Sequence, residues 1–177
     1  MAAILAAAVL IGALLWGWLQ LSRLRAEDDR QWPEIGLASG AAALRLHPGW
    51  RIEARGDALR VQTGVRRALL VVSAQPRPPR DAGSLESRAQ ALPDAEQLTL
   101  DDGAAEPFEA GGLPGVRIAS AGTLPEGERG WFEFHLIEGP SQDLLLRYRC
   151  PVLSGSIDAR TLARCAASAR FGPSGPR

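Results

Sequence analysis

Two histidines, two cysteines and no lysine narrow the chemistry open to this sequence of 177 residues. His47 stands before Pro48-Gly49 and reads as a turn residue. His135 lies in WFEFHLI (131–137), where alternation puts it on one strand face with Trp131 and Glu133. The cysteines have no CxxC spacing and the histidines no HxxxH spacing, so no metal site is expected. No GxSxG or SxxK nucleophile signature is present. Asp28-Asp29 and Asp101-Asp102 are sequence neighbours, which do not face each other as a catalytic dyad would, and read as solvated turns. The missing lysine excludes P-loop and Schiff-base chemistries. No catalytic residue, no cofactor and no enzymatic activity are assigned.

One constellation could bind. DLLLRYRC (143–150) reads as the strand that pairs with WFEFHLI across a five-residue loop, 138–142. That loop aligns Phe132, Phe134 and Leu136 with Tyr148, Leu146 and Leu144 as the core face. The opposite face then pairs Glu133 with Arg147 and Trp131 with Arg149, an ion pair and a cation–π contact. Trp131, Glu133, His135, Arg147 and Arg149 would together form a polar groove for an acidic ligand or partner. The plainer reading of the same residues is a salt-bridge lattice, solvated or covered by a helix.

Cys150 follows the core alternation of Leu144, Leu146 and Tyr148, and Cys165 lies on the apolar side of the next helix. Both thiols should enter one strand–helix interface. In an exported domain they are expected as a disulfide, closing a loop of about fifteen residues for about 3 kcal/mol. In a cytoplasmic domain they are expected as two buried thiols.

The elements that must position these residues are mostly strands. Ala42 to Leu46 is a strand ended by His47-Pro48-Gly49. WRIEAR (50–55) and ALRVQT (58–63) form a hairpin around Gly56-Asp57. Its register sets Ala54 opposite Leu59, Ile52 opposite Val61 and Trp50 opposite Thr63, with Glu53 facing Arg60 on the other side. RRALLVVSAQ (66–75) is apolar on both alternations and belongs inside a sheet covered on both faces. Ser84 caps a helix over Leu85 to Leu92 that Pro93 stops. Weak strands follow at Leu98–Leu100 and Pro107–Ala110, then a glycine-rich turn (111–115) before VRIASA (116–121). Ser156 caps a last helix, Ile157 to Arg170.

Residues 2–19 read AAILAAAVLIGALLWGWL, without a charge. With Gln20 and Leu21 the run matches the ~20 residues that span a bilayer, and Trp16 and Trp18 sit where indoles favour the interface. No basic residue precedes it, no A-x-A-like site follows and no cysteine follows for lipidation, so an uncleaved anchor is expected. The positive-inside rule, acting on Arg23 and Arg25, pulls the domain toward the cytoplasm; the cysteine pair pulls it outward. Twenty arginines balance twenty acids, without the basic excess a nucleic-acid binder carries.

The order of elements now has a likeness. LHPGW entering a hairpin, a central apolar strand, a Pro-rich loop, SLESRAQAL, VRIASA, the WFEFHLI/LLLRYRC hairpin and SIDARTLARCAASARF together resemble the Mog1/PsbP-like family, membrane-associated bacterial members included. The likeness spans about residues 42–171. It implies an α+β fold: an antiparallel sheet of about six strands covered by helices on both faces, an α/β/α sandwich. It also implies a non-enzymatic accessory role in assisting protein complexes. No functional residue carries over, and the cysteine pair is not a general feature of the family. The expected organisation is a transmembrane anchor (1–22), a linker (23–40) that becomes ordered near Trp32 to Leu37, a globular domain (41–171) and a disordered tail (172–177). The expected function is that of an inner-membrane-anchored envelope protein whose periplasmic domain binds another protein. The alternatives are a small-anion sensor or carrier using Glu133, His135, Arg147 and Arg149, and a cytoplasmic placement of the domain.

Overall fold

A computed structural model describes residues 31–37, 40, 42–54, 56, 58–64, 67–79, 83–152 and 159–172. The expected anchor, residues 23–30 of the linker and positions 173–177 of the tail lie outside the described residues. Among the described residues no helix is long and apolar enough to cross a membrane.

The frame is an antiparallel sheet. In chain order the strands are β1 (Glu34–Gly36), β2 (Ala42–Arg45), β3 (Arg51–Ala54), β4 (Ala58–Gln62), β5 (Leu69–Pro76), β6 (Thr99–Leu100), β7 (Ala105–Ala110), β8 (Leu113–Thr123), β9 (Arg129–Glu138), β10 (Gln142–Cys150) and β11 (Arg170–Phe171). Eight of them form the main sheet in the order β3-β4-β5-β10-β9-β8-β6, with β7 also paired to β8. A second sheet, β1-β2-β11, stands apart from it. The helices are α1 (Leu85–Gln90), α2 (Leu92–Ala95) and α3 (Ala159–Ala167).

Two apolar layers flank the main sheet. Leu59, Val61, Leu70, Val72, Leu144, Leu146 and Tyr148 face one layer, closed by the small sheet (Ala42, Leu44) and by Leu162, Cys165 and Ala166 of α3. Phe132, Phe134, Leu136, Leu145, Val116 and Ile118 face the other, with Ala89 of α1 and the half-buried Leu85 and Leu92. The α+β class and the covered sheet agree with the sequence reading. The sheet is wider than six strands, and the small sheet shares with α3 the cover expected from helix alone.

Local chemistry explains the elements. Ser84 caps α1, its hydroxyl accepting from the Ser87 amide at 3.1 Å. Pro93 does not stop the helix outright: the chain breaks at Ala91 and restarts as α2 with proline in its first turn, where a missing N–H costs nothing. The β7–β8 hairpin turns through Gly111 and Gly112, both at positive φ (58° and 83°), as a two-residue primed turn demands. The turn is thus tighter than 111–115, and β8 begins at Leu113. The last helix ends at Ala167, and Arg170–Phe171 leaves it to pair with β2.

The first hairpin keeps the expected Ile52–Val61 pair, but a bulge between Ile52 and Ala54 sets Ala54 against Arg60 instead of Leu59. Glu53 is the extra residue of that bulge, so its expected pairing with Arg60 is not made. The second hairpin departs further. Glu138 pairs with Asp143, so four residues (139–142) separate the paired positions and not five. Glu133 therefore lies opposite Tyr148, and Trp131 opposite Cys150. A one-residue slip moves every side chain of one strand to the other face relative to its partner.

Candidate functional site

That slip divides the five residues expected to form one groove. Trp131, Glu133 and His135 face the layer under α3 and the small sheet, beside Leu146 and Tyr148. Arg147 and Arg149 face the opposite side, beside Phe134 and Phe132. The expected Glu133–Arg147 ion pair and Trp131–Arg149 contact are not made. The loop, one residue shorter than expected, sets Glu133 against Tyr148 and so separates the acid from the arginines.

On the first side Glu133 and His135 are sealed in, at 0% and 1% exposure. Glu133 Oε1 accepts from Arg117 Nε at 2.8 Å and lies 2.7 Å from His135 Nε2. An ionised carboxylate only accepts, so Nε2 carries the hydrogen. Arg117, brought alongside by the Arg117–His135 register of β8 on β9, also donates to Glu106 of β7 at 2.7 Å. Phe108 packs edge-on against the His135 ring at 5.4 Å and covers Gly115, where a Cβ would meet its ring at 2.6 Å. Burial pushes the Glu133 carboxyl up, but hydrogen bonds from His135 and Arg117 outweigh it and hold the group below its ordinary value. Burial likewise pulls Arg117 down, and Glu133 and Glu106 more than reverse it. Trp131 Nε1, Glu133 Oε2 and His135 Nδ1 keep unused hydrogen-bonding capacity. Among the described residues the contacts of this carboxylate and imidazole are to Arg117 and Phe108, neither of them a nucleophile. The cluster's architecture is that of a buried polar tie between β7, β8 and β9.

Cys150 and Cys165 do enter the same layer, as their alternation implied, and both are buried. The expected disulfide is not formed; both are thiols. A shared apolar layer satisfies cysteine as a small hydrophobe without the close Cα approach and fixed dihedral that a bridge requires. Among the described residues no three His, Cys, Asp or Glu side chains converge as a cation site would need. His47 is a turn residue, its Nδ1 accepting from the Gly49 amide at 3.1 Å and its ring edge-on to Trp32.

The second side carries an open groove. Because α1 packs on β8 and β9, β5, which lies beyond β10 in the sheet, is left half-covered there: Leu69 and Val71 are half-buried, whereas Leu70 and Val72 on its other face are fully enclosed. Cross-strand register sets Arg60, Val71 and Arg147 in one row and Gln62, Leu69 and Arg149 in the next. A cavity of about 220 Å³ follows these rows, lined by Glu96 and with an apolar floor of Leu69 and Val71 beside Phe132 and Phe134. A second, of about 430 Å³, adjoins it through Leu124, Phe132 and Arg149 and adds Arg67, Glu128 and Arg129. Arg147 donates to Glu96 at 2.9 Å, and Arg129 to Asp101 at 2.5 Å. Arg147 and Arg149 were singled out in the sequence; Arg60, Leu69 and Val71 were not assigned to a site. Their signal was present in the apolar second face of β5, which we expected to be covered.

No family model matches the sequence, and no curated protein matches it. Solved structures do. Cyanobacterial PsbP (CyanoP) from Synechocystis superimposes with a TM-score of 0.56 at 11% identity, over 78% of this chain and 91% of its own. The fold is Mog1/PsbP-like. Two further structures share the likeness. A protein of unknown function from Pseudomonas aeruginosa matches over 81% of this chain and 99% of its own, at 15% identity and a TM-score of 0.52. A Bacteroides thetaiotaomicron protein matches over 83% of this chain and 51% of its own, at 13% identity and 0.57. In this Mog1/PsbP-like frame the open groove lies on the sheet face that carries α1 and α2.

Proposed function

We propose that the protein is a non-enzymatic accessory module of the bacterial cell envelope, tethered to the inner membrane by residues 1–22, whose globular domain binds another protein. The observation that carries the binding role is the half-covered β5 face, with Leu69 and Val71 beside Arg60, Arg147 and Arg149. A monomer gains by covering apolar side chains of a central strand, so a trough that leaves them open beside cations suits an interaction surface. The uncharged run from Ala2 to Leu19 supports the tether, and the likeness to the Mog1/PsbP-like family supports the accessory role.

The full-length chain, cross-linked in its native membranes, tests the reading. A protein partner recovered in constant proportion to the chain is the expected result. Recovery of the chain alone, with a thermal shift from a small organic anion such as citrate, would replace it with the small-anion carrier; this second reading rests on the same arginines. We place the domain on the periplasmic side, as an exported accessory domain requires. The cytoplasmic alternative draws on Arg23 and Arg25 and on the two thiols. Protease added to spheroplasts decides the side: digestion fits the periplasm, protection the cytoplasm.

A further inference from the structure

The groove also specifies a chemistry. We infer that it takes an acidic segment of a protein partner, with an apolar side chain seated on Leu69 and Val71 and carboxylates meeting Arg60 and Arg149; this rests on the protein-binding reading above. Five arginines and two glutamates line the two adjoining cavities, a local excess of three positive charges in a chain whose total is zero. Arg147 and Arg129 already hold Glu96 and Asp101. Among the described residues Arg60 and Arg149 have no carboxylate within ion-pair distance, and both are exposed. They sit one cross-strand step from the apolar floor, Arg60 beside Val71 and Arg149 beside Leu69. Cross-strand neighbours on one face stand about 5 Å apart, so one segment can reach both the floor and the cations.

The shape favours a peptide over a lipid surface. The floor lies within a cavity that Glu96 and Leu124 also line, and Glu128 lines the cavity that adjoins it. A side chain can enter such a trough, whereas a flat anionic bilayer would meet the two glutamates and leave the floor unfilled. Unpaired arginines give the contact specificity and a salt-sensitive association rate, and the apolar floor holds the complex once formed.

The full chain in nanodiscs of zwitterionic phosphatidylcholine is titrated with a fluorescent peptide alternating Glu and Leu, and with its Lys-for-Glu counterpart. The acidic peptide should bind at least about tenfold more tightly, weaken as salt rises, and lose about tenfold in the R60E/R149E double variant. Both changed residues are exposed, and an unaltered thermal melt verifies the fold. Equal binding of the two peptides, or an unchanged affinity in the double variant, overturns the inference. So does binding to phosphatidylglycerol vesicles with none to the peptide. In cells, a photo-cross-linker replaces Arg60 or, on α3 in the opposite layer, Arg160. Cross-links from position 60 that map to an acidic stretch support the groove. Cross-links from 160 alone sink the groove and leave protein binding standing; none from either sinks both.

Discussion

Glu133 is the residue on which local stability turns, because its charge is buried and held by two donors. Its carboxyl ionises below the ordinary value of 4.5 in the folded state. Stability from this group is therefore fully present above about pH 4.5 and is lost as pH falls through the folded value. We expect E133Q to be less stable than wild type near neutrality and to show a flatter decline on acidification. Denaturant melts at about pH 7 and pH 3.5 measure this; parallel curves would show that other carboxylates carry the acid sensitivity. Arg67 presents a different balance. It sits at φ 67°, a left-handed conformation that costs an L-residue about 1 kcal/mol, yet it lines the larger cavity. R67G should hold or raise stability by up to about 1 kcal/mol while weakening the acidic peptide. A clear drop in melting temperature would mean that the arginine side chain supports the turn by contacts of its own.

At the scale of elements, α1 is fastened to the β9–β10 hairpin by charge. Arg88 bonds Asp143, whose side chain is 3% exposed, and reaches Glu138 at 3.3 Å; Arg77 also meets Glu138. R88A strands a buried carboxylate and should cost about 3 kcal/mol, with amide exchange rising first along α1. If exchange rises evenly across the sheet, the ion pairs are not a local latch. The hairpin turn has its own constraint. A Cβ on Gly139 would meet the Phe171 ring and the Gln142 carbonyl, both at 2.3 Å. G139A should displace β11 from β2 and cost about 1–3 kcal/mol, read from the melt and from exchange at Phe171; an unchanged melt would show that the terminal strand moves aside at no cost. That same turn explains the misplaced register. Alternation is equally visible in β9 and β10, but with both faces apolar it cannot say which pairs with which. Loop length decides, and a four-residue loop held by Gly139 could not be told from a five-residue one by composition.

For the whole molecule, the expected division of labour is a membrane tether and an independently packed domain. Among the described residues the two apolar layers and both sheets are built from positions 32–171. Removing residues 1–30 should leave the circular dichroism and melt of the domain unchanged and move it from the membrane fraction to the soluble one. Full-length protein that fractionates as soluble, with its N-terminus intact, would remove the tether. With a net charge of zero, long-range attraction comes from the local excess at the groove and not from the molecule as a whole. Partner binding should accordingly weaken with salt while the melt of the unbound domain changes little.

Apolar periodicity determined strands β2 to β10 and the interior position of β5, and the Ser84 capping signal the first helix, because these follow from the side chains of one segment; β1 and β11 fall where a linker and a helix end are expected. Periodicity also brought Cys150 and Cys165 to one layer. What only tertiary structure decided was which strand faces meet, and hence which charges are neighbours. Glu133 finds Arg117 and His135 because β8 packs in that register, and Arg147 and Arg149 join Arg60 because a four-residue loop sends them to the other side. A side-chain period of two makes the face of a residue depend on counting across the loop. Whether a face is covered depends on where a distant helix lies. Here α1 rests on β8 and β9 and stops short of β5, and that half-strand of open apolar surface is the basis of the proposed site.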